Sequence, residues 1–161
     1  MRGLMLVLTL FLGLAGFAIS PGIGYAAGEQ SFSIAISAAK AEVSAGSPVE
    51  ILIRLTNNSD QDANWSTIYS GGVANDYTYD IRLEGGKRLA PSHPRDDGPV
   101  IGSAVIGTVK PGKSFETRVD ISAQYDMTKP GKYIVQLSRP ISGSAKKSEV
   151  KSNKITIIVK K

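Results

Sequence analysis

The chain contains no cysteine and a single histidine, His93, and these two shortages exclude several kinds of chemistry. Without cysteine there is no disulfide, no thiol nucleophile and no cysteine to carry a lipid anchor. One histidine cannot build the coordination shell of a zinc or copper site. The sequence also has no Gly-x-Ser-x-Gly motif and no glycine-rich phosphate loop. We therefore expect no catalytic residue, no metal and no cofactor, and we predict that the protein is not an enzyme.

Residues 28–161 also lack any segment with the periodicity of a helix, and apolar residues alternate with polar ones instead. The clearest alternation runs from Val49 to Leu55, where every second side chain is aliphatic. Similar segments lie at 32–36, 77–84, 115–121, 133–137 and 155–159. Turn signals such as Pro111-Gly112 separate them. The pattern predicts an all-β fold, an antiparallel sandwich of two sheets and seven to nine strands.

The first 27 residues have the three-part build of an export signal. Arg2 supplies the positive charge, an almost unbroken apolar run extends from Leu4 to Ile19, and small residues precede the predicted cleavage site at Ala26 and Ala27. The run is shorter than the roughly 20 residues that a spanning helix needs. We predict a signal peptide at 1–27 and one domain at 28–161, exported to a periplasm or secreted, with no membrane contact after cleavage. A retained signal that acts as an anchor is the alternative.

The formal net charge is +5, and the excess of positive charge lies late in the chain. Six lysines fall within the last sixteen residues, at 146, 147, 151, 154, 160 and 161. Lysines of this kind typically protect an edge strand, and a site for a polyanion is the alternative. No aromatic residue interleaves with them, so we expect no nucleic acid partner. The apolar strand Ile155 to Val159 is the predicted open edge.

The aromatic residues Trp65, Tyr77 and Tyr79 are expected to fill the core. Tyr69 precedes Ser70-Gly71-Gly72, and we expect it to be the exposed member of the aromatic set. The ligand-binding residues are unknown, and Tyr69 is a candidate. Loops at one end of a β-sandwich commonly carry binding sites. The candidate loops are 57–62, 71–76 and 91–99.

The segment Asp126 to Tyr133 resembles the tyrosine corner of immunoglobulin-like domains. The resemblance implies that the Tyr133 hydroxyl bonds back to upstream backbone. It also implies that Val135 and Ile53 occupy the positions of the two bridging cysteines of disulfide-bearing immunoglobulin domains. Trp65 would then be the core tryptophan of the third strand of that fold.

The mature sequence is similar over nearly its whole length to uncharacterised exported bacterial proteins with an immunoglobulin-like domain. The segments that carry this similarity are 49–59, 109–114, 125–133 and 151–157. The turns at 109–114 and 129–133 also resemble those of the bacterial intracellular proteinase inhibitor family and of the β-domain attached to deuterolysin-type metalloproteases. The resemblance implies a fold and leaves the activity open. We expect an exported, non-catalytic binding module whose partner is another extracytoplasmic protein. A proteinase inhibitor and an envelope or fibre subunit are the alternatives.

Overall fold

The computed structural model describes residues 32–70, 73–92, 102–140 and 149–161. The predicted signal peptide with Ala26 and Ala27, the histidine His93 and the late lysines 146 and 147 lie outside these residues. The described part of the chain is all-β and has no α-helix. No helix within it is long and apolar enough to cross a membrane.

The described residues form eleven strands and one short 3-10 turn, more strands than the seven to nine predicted from the sequence. The strands are β1 (Phe32–Ala38), β2 (Glu42–Ser44), β3 (Glu50–Asn57), β4 (Ala63–Ser70), β5 (Val73–Ala74), β6 (Thr78–Leu83), β7 (Ser103–Val109), β8 (Ser114–Asp120), β9 (Gly131–Pro140), β10 (Glu149–Lys151) and β11 (Ile155–Lys160). The difference arises from two very short strands, β2 and β5, and from a break that divides the last strand into β10 and β11.

The first sheet has the antiparallel order β1-β3-β8. In β3 the aliphatic residues Ile51, Ile53 and Leu55 are buried, as the alternation predicts. Arg54 lies on the opposite face, where its Nε is 2.6 Å from a carboxylate oxygen of Glu116 in β8. The alternation therefore gives this sheet one apolar and one polar face.

The second sheet is built around β9. β6 pairs with one side of β9, while β11 and β10 pair in succession with its other side. The far side of β11 pairs with β2 in parallel, which departs from the purely antiparallel arrangement predicted. The segment Ile155 to Val159 is therefore not an open edge, because β11 lies between β9 and β2.

The third sheet has the antiparallel order β5-β4-β7, so the described strands form three hydrogen-bonded sheets where two were predicted. It is joined to the first sheet by side chains of β4 and β8. The rings of Trp65 and Phe115 lie 3.6 Å apart between centroids. The Tyr69 hydroxyl is hydrogen-bonded to the hydroxyl of Thr117. These contacts hold the third sheet against β8.

One hydrophobic cluster joins the three sheets. Its least exposed members are Ile51, Ile53, Val73, Ala74, Ile81, Ile121, Tyr133, Val135, Leu137 and Ile157. Each large aliphatic side chain buried in this way contributes roughly 1.5–3 kcal/mol. A core of this size stabilises the domain without a disulfide.

Two asparagine side chains bond to backbone groups at the edges and ends of strands. Asn153 lies in the break between β10 and β11, and its side-chain amide bonds both the N–H (2.8 Å) and the carbonyl (3.0 Å) of Ile36 in β1. It therefore closes the outer edge of β1 as a strand would.

The second asparagine, Asn57, is fully buried at the end of β3. Its amide nitrogen donates to the carbonyls of Gln61 and Val109, each at 2.8 Å. Its oxygen accepts from the N–H and the hydroxyl of Ser59, at 2.9 and 2.7 Å. One side chain thus ties the connection after β3 to the end of β7.

Candidate functional site

A polar groove crosses the outer face of the second sheet. In β6 the side chains alternate, so that Tyr79 and Ile81 are buried while Thr78, Asp80 and Arg82 lie on the outer face. The register places Asp80 opposite Gln136 of β9. The outer residues of two neighbouring strands therefore form one continuous surface.

The break between β10 and β11 shapes the third side of this groove. Ser152 bonds to β9 through three groups. Its N–H donates to the Leu137 carbonyl at 2.8 Å, its hydroxyl accepts from the N–H of Leu137 at 2.9 Å, and its carbonyl accepts from the side-chain amide of Gln136 at 2.8 Å. Lys151 and Lys154, on either side of the break, both line the groove.

The groove consists of two depressions, of about 220 and 270 Å³, that share Asp80 and Gln136. Their polar lining residues are Thr78, Asp80, Arg82, Arg88, Gln136, Ser138, Glu149, Lys151 and Lys154. We call this set the outer groove. It contains four cationic side chains and two carboxylates, so its net charge is positive.

Both carboxylates of the outer groove are paired with cations. Arg82 donates to the two carboxylate oxygens of Asp80 at 2.9 and 3.1 Å, which lowers the pKa of Asp80. Lys151 lies 3.0 Å from Glu149, and this contact lowers the pKa of Glu149. Both groups therefore stay ionised at neutral pH and are not placed to act as proton donors.

The outer groove has two more cations than carboxylates, so its own acidic residues do not balance all of its positive charge. Arg88 donates to the Tyr79 carbonyl at 2.6 Å, which fixes its guanidinium beside Asp80, 3.8 Å away. Lys154 forms no ion pair with any residue that the structure describes. Two positive charges at a concave polar surface favour an anionic ligand.

The four predicted core residues all lie in the hydrophobic cluster. Ile53 and Val135 are buried in the first and second sheets. Tyr133 is buried, and its hydroxyl donates to the Lys129 carbonyl at 2.8 Å. Trp65 is buried too, but it lies in β4 of the third sheet, and the strand beside β9 is β6. Trp65 is therefore a core residue, as expected, and its strand β4 pairs with β7 and β5.

Tyr69, the candidate ligand contact, is not an exposed residue as expected. Its side chain is half-buried against the hydrophobic cluster, and its hydroxyl is occupied by Thr117. The residues around Tyr69 do not predict its contact with Thr117, because Thr117 lies in β8, 48 residues further along the chain. Tyr69 fastens the third sheet to the first.

The structure describes the three candidate binding loops to different extents. The 57–62 loop is described, and its first residue, Asn57, is buried and bonded within the loop. Of the 71–76 loop, residues 73–76 are described, and Val73 and Ala74 form β5. Most of the 91–99 loop lies outside the described residues.

Sequence reasoning missed the outer groove. The alternation of Thr78, Asp80 and Arg82 signalled only a solvated strand face. A groove requires Gln136 and Lys154 at the same place, and these come from strands more than 50 residues further along the chain. Only the register of β6, β9 and the broken last strand brings them together.

Comparison with protein-family models and with curated proteins finds no match for this chain. Among solved structures, the chain is similar to the crystal structure of BslA, a bacterial hydrophobin. The identity is 16% and the TM-score is 0.38, over 81% of this chain and 96% of that one. A TM-score this low assigns neither a fold family nor a function.

Proposed function

We propose that the protein is an exported, non-catalytic binding module with the architecture of an immunoglobulin-like β-sandwich. The signal-like segment 1–27 supports export. Sheets packed around one core support a sandwich. The bond from Tyr133 to the Lys129 carbonyl has the form of a tyrosine corner, which supports the immunoglobulin-like type.

The observation that carries the proposal is the outer groove. Its two carboxylates pair with Arg82, Arg88 and Lys151, so its four cations exceed its carboxylates by two. The half-exposed Arg88, and Lys154, which pairs with no described residue, are the cations that would meet a ligand. The partner we propose is an acidic segment of another extracytoplasmic protein. Carboxylates of such a segment would pair with Arg88 and Lys154, and its backbone would bond to Gln136 and Ser138.

The ionised state of Asp80 and Glu149 fits binding better than hydrolysis. A glycosidase needs one carboxyl group whose pKa is raised so that it can donate a proton. Here both pKa values are lowered by the neighbouring cations. The two groups act as fixed anions that set the spacing of the cations around them.

The proposal is tested by the binding of a labelled acidic peptide to the purified protein, measured by fluorescence anisotropy. We expect an oligoglutamate peptide to bind at low salt, and the glutamine peptide of equal length to bind at least about tenfold more weakly. The double variant Arg88→Ala/Lys154→Ala should lose most of this binding. The charge-matched control is Lys40→Ala/Lys113→Ala, which removes two exposed lysines away from the groove.

Equal losses in the groove variant and in the control variant would show that only net charge matters, and would overturn the assignment of the outer groove. A second arm identifies the natural partner. The purified protein is used to capture proteins from extracytoplasmic extract, and a specific partner should be captured by the parent and by the control but not by Arg88→Ala/Lys154→Ala.

A further inference from the structure

The outer edge of β7 is unpaired among the strands that the structure describes. β7 pairs through one side with β4, from Ser103 opposite Tyr69 to Val109 opposite Ala63. None of the strands that the structure describes pairs with its other side. An open edge seven residues long presents a row of backbone N–H and carbonyl groups to any strand that can approach.

The other long edges in the described sheets are protected. Asn153 occupies the N–H and the carbonyl at the centre of β1. Arg88 binds the Tyr79 carbonyl on the outer edge of β6. β8 carries the charged residues Glu116 and Arg118. These are the usual ways in which proteins prevent pairing between edges, and in β7 a side chain occupies only the terminal carbonyl, that of Val109, which accepts from Asn57.

The sequence of β7, Ser-Ala-Val-Ile-Gly-Thr-Val, contains no charged residue and no proline. Ile106, at its centre, is 77% exposed, the most of any large hydrophobic residue in the described part of the chain. Val105 is also exposed, and Ile68 of β4 lies on the same face as Ile106. Apolar side chains and unpaired backbone therefore coincide on one edge.

We propose that β7 pairs with β7 of a second copy of this chain, antiparallel and centred on Ile106. A two-fold axis midway between the two strands places Ile106 opposite Ile106 of the second copy. Ala104 then lies opposite Thr108, and Val105 lies opposite Gly107. Every cross-strand pair is then uncharged. Because the Val109 carbonyl is occupied by Asn57, the pairing uses chiefly the central residues Ala104 to Thr108.

A second copy fits this edge because of the distribution of charge. Two molecules of net charge +5 repel each other, and a contact between copies is favoured where no charged residue faces its own image. β7 is such a segment, and its centre adds two exposed isoleucines to the contact. An edge-to-edge contact is smaller than the roughly 1,200 Å² of a stable complex, so we expect a weak, concentration-dependent dimer.

The absence of cysteine allows a direct test by cross-linking. Residues facing each other across an antiparallel pair have Cα atoms about 4.5–5.5 Å apart, within the range of a disulfide. Ile106→Cys should therefore form a disulfide-linked dimer in the presence of a mild oxidant. Thr108→Cys is the register control, because its symmetry mate would lie about 13 Å away, four residues along the strand. Ile68→Cys, on the neighbouring strand, controls for contact through the face of the sheet.

Sedimentation velocity over a range of concentrations tests the same contact without cross-linking. The parent should dimerise as concentration rises, and Ile106→Lys should weaken the dimer at least about tenfold, because it places two like charges opposite each other. Ile68→Lys adds the same charge one strand away and should dimerise more strongly than Ile106→Lys. Circular dichroism checks that both variants fold.

A parent that stays monomeric at concentrations on the order of 1 mM would overturn the proposal and would leave the edge to a strand of another protein. Equal cross-linking of Ile68→Cys and Ile106→Cys would overturn it too, since the copies would then meet through the sheet face. Cross-linking of Thr108→Cys in place of Ile106→Cys would contradict the register.

Discussion

The buried side chain of Asn57 offers the sharpest test of how the third sheet is held. Asn57→Ala removes four hydrogen bonds at once. The most costly loss is at the Val109 carbonyl, since this bond is buried and water cannot replace the donor. The partners at Gln61 and Ser59 are partly exposed and recover solvent bonds.

The expected cost follows from these differences in exposure. A buried carbonyl without a donor costs about 1–3 kcal/mol, and the partly exposed groups cost less than that each. We expect Asn57→Ala to lower the free energy of unfolding by about 3 kcal/mol, out of the roughly 5–15 kcal/mol typical of a domain. With an m value of roughly 1.5 kcal/mol/M, the urea midpoint should fall by about 2 M.

The adjacent residue supplies the control. Asn58 is exposed, and its side chain oxygen is 3.5 Å from the Ser33 hydroxyl. Asn58→Ala should change the unfolding free energy by no more than about 0.5 kcal/mol. If the two alanine variants unfold at the same urea concentration, the hydrogen bonds of Asn57 do not stabilise the domain and the argument fails.

The variant Asn57→Asp separates the loss of donors from the loss of volume. Its carboxylate would face the carbonyls of Gln61 and Val109, which raises its pKa in the folded state above the unfolded value of about 3.9. As pH rises above about 4, the new carboxyl group ionises in the unfolded state but keeps its proton in the folded state. Ionisation therefore favours the unfolded state, and the variant should become less stable as pH rises. A stability difference from the parent that does not depend on pH would refute this reasoning.

Two further predictions concern Trp65 and Asp80. A methyl group at Gly107 would lie 2.8 Å from the indole nitrogen of Trp65, so Gly107→Ala should shift the emission of this single tryptophan, whereas Thr108→Ala should not. The carboxyl of Asp80 should titrate below its usual pKa of about 3.9, and Arg82→Gln should raise the midpoint, as followed by NMR. The stabilisation from this pair is present above the unfolded pKa and is lost as pH falls through the lowered one. An unchanged midpoint in the variant would contradict the pairing.

Local patterns in the sequence predicted the local parts of this structure. The alternation of Ile51, Ile53 and Leu55 places these residues in the core. The segment that ends at Tyr133 predicted a bond back to upstream backbone, and its hydroxyl binds the Lys129 carbonyl. Each of these features depends on residues close together in the chain, so periodicity and turn chemistry contain the information.

The features that sequence reasoning missed depend on which strands become neighbours. Trp65 follows β3 at the spacing of a core tryptophan, but its strand pairs with β7 and leaves the place beside β9 to β6. The outer groove depends on the register between Asp80 and Gln136 and on the break at Ser152. Periodicity gives the face of each residue but not the partner of each strand.

The bond between Asn153 and Ile36 has a consequence for the order in which the chain can fold. The two residues are 117 positions apart, and β2 likewise pairs with β11 across most of the domain. Contacts of such separation form slowly, because a long loop must close first. During synthesis, the first strand keeps an open edge until the last residues emerge. The outer edge of β1 therefore lacks this contact until the segment around Asn153 has been synthesised.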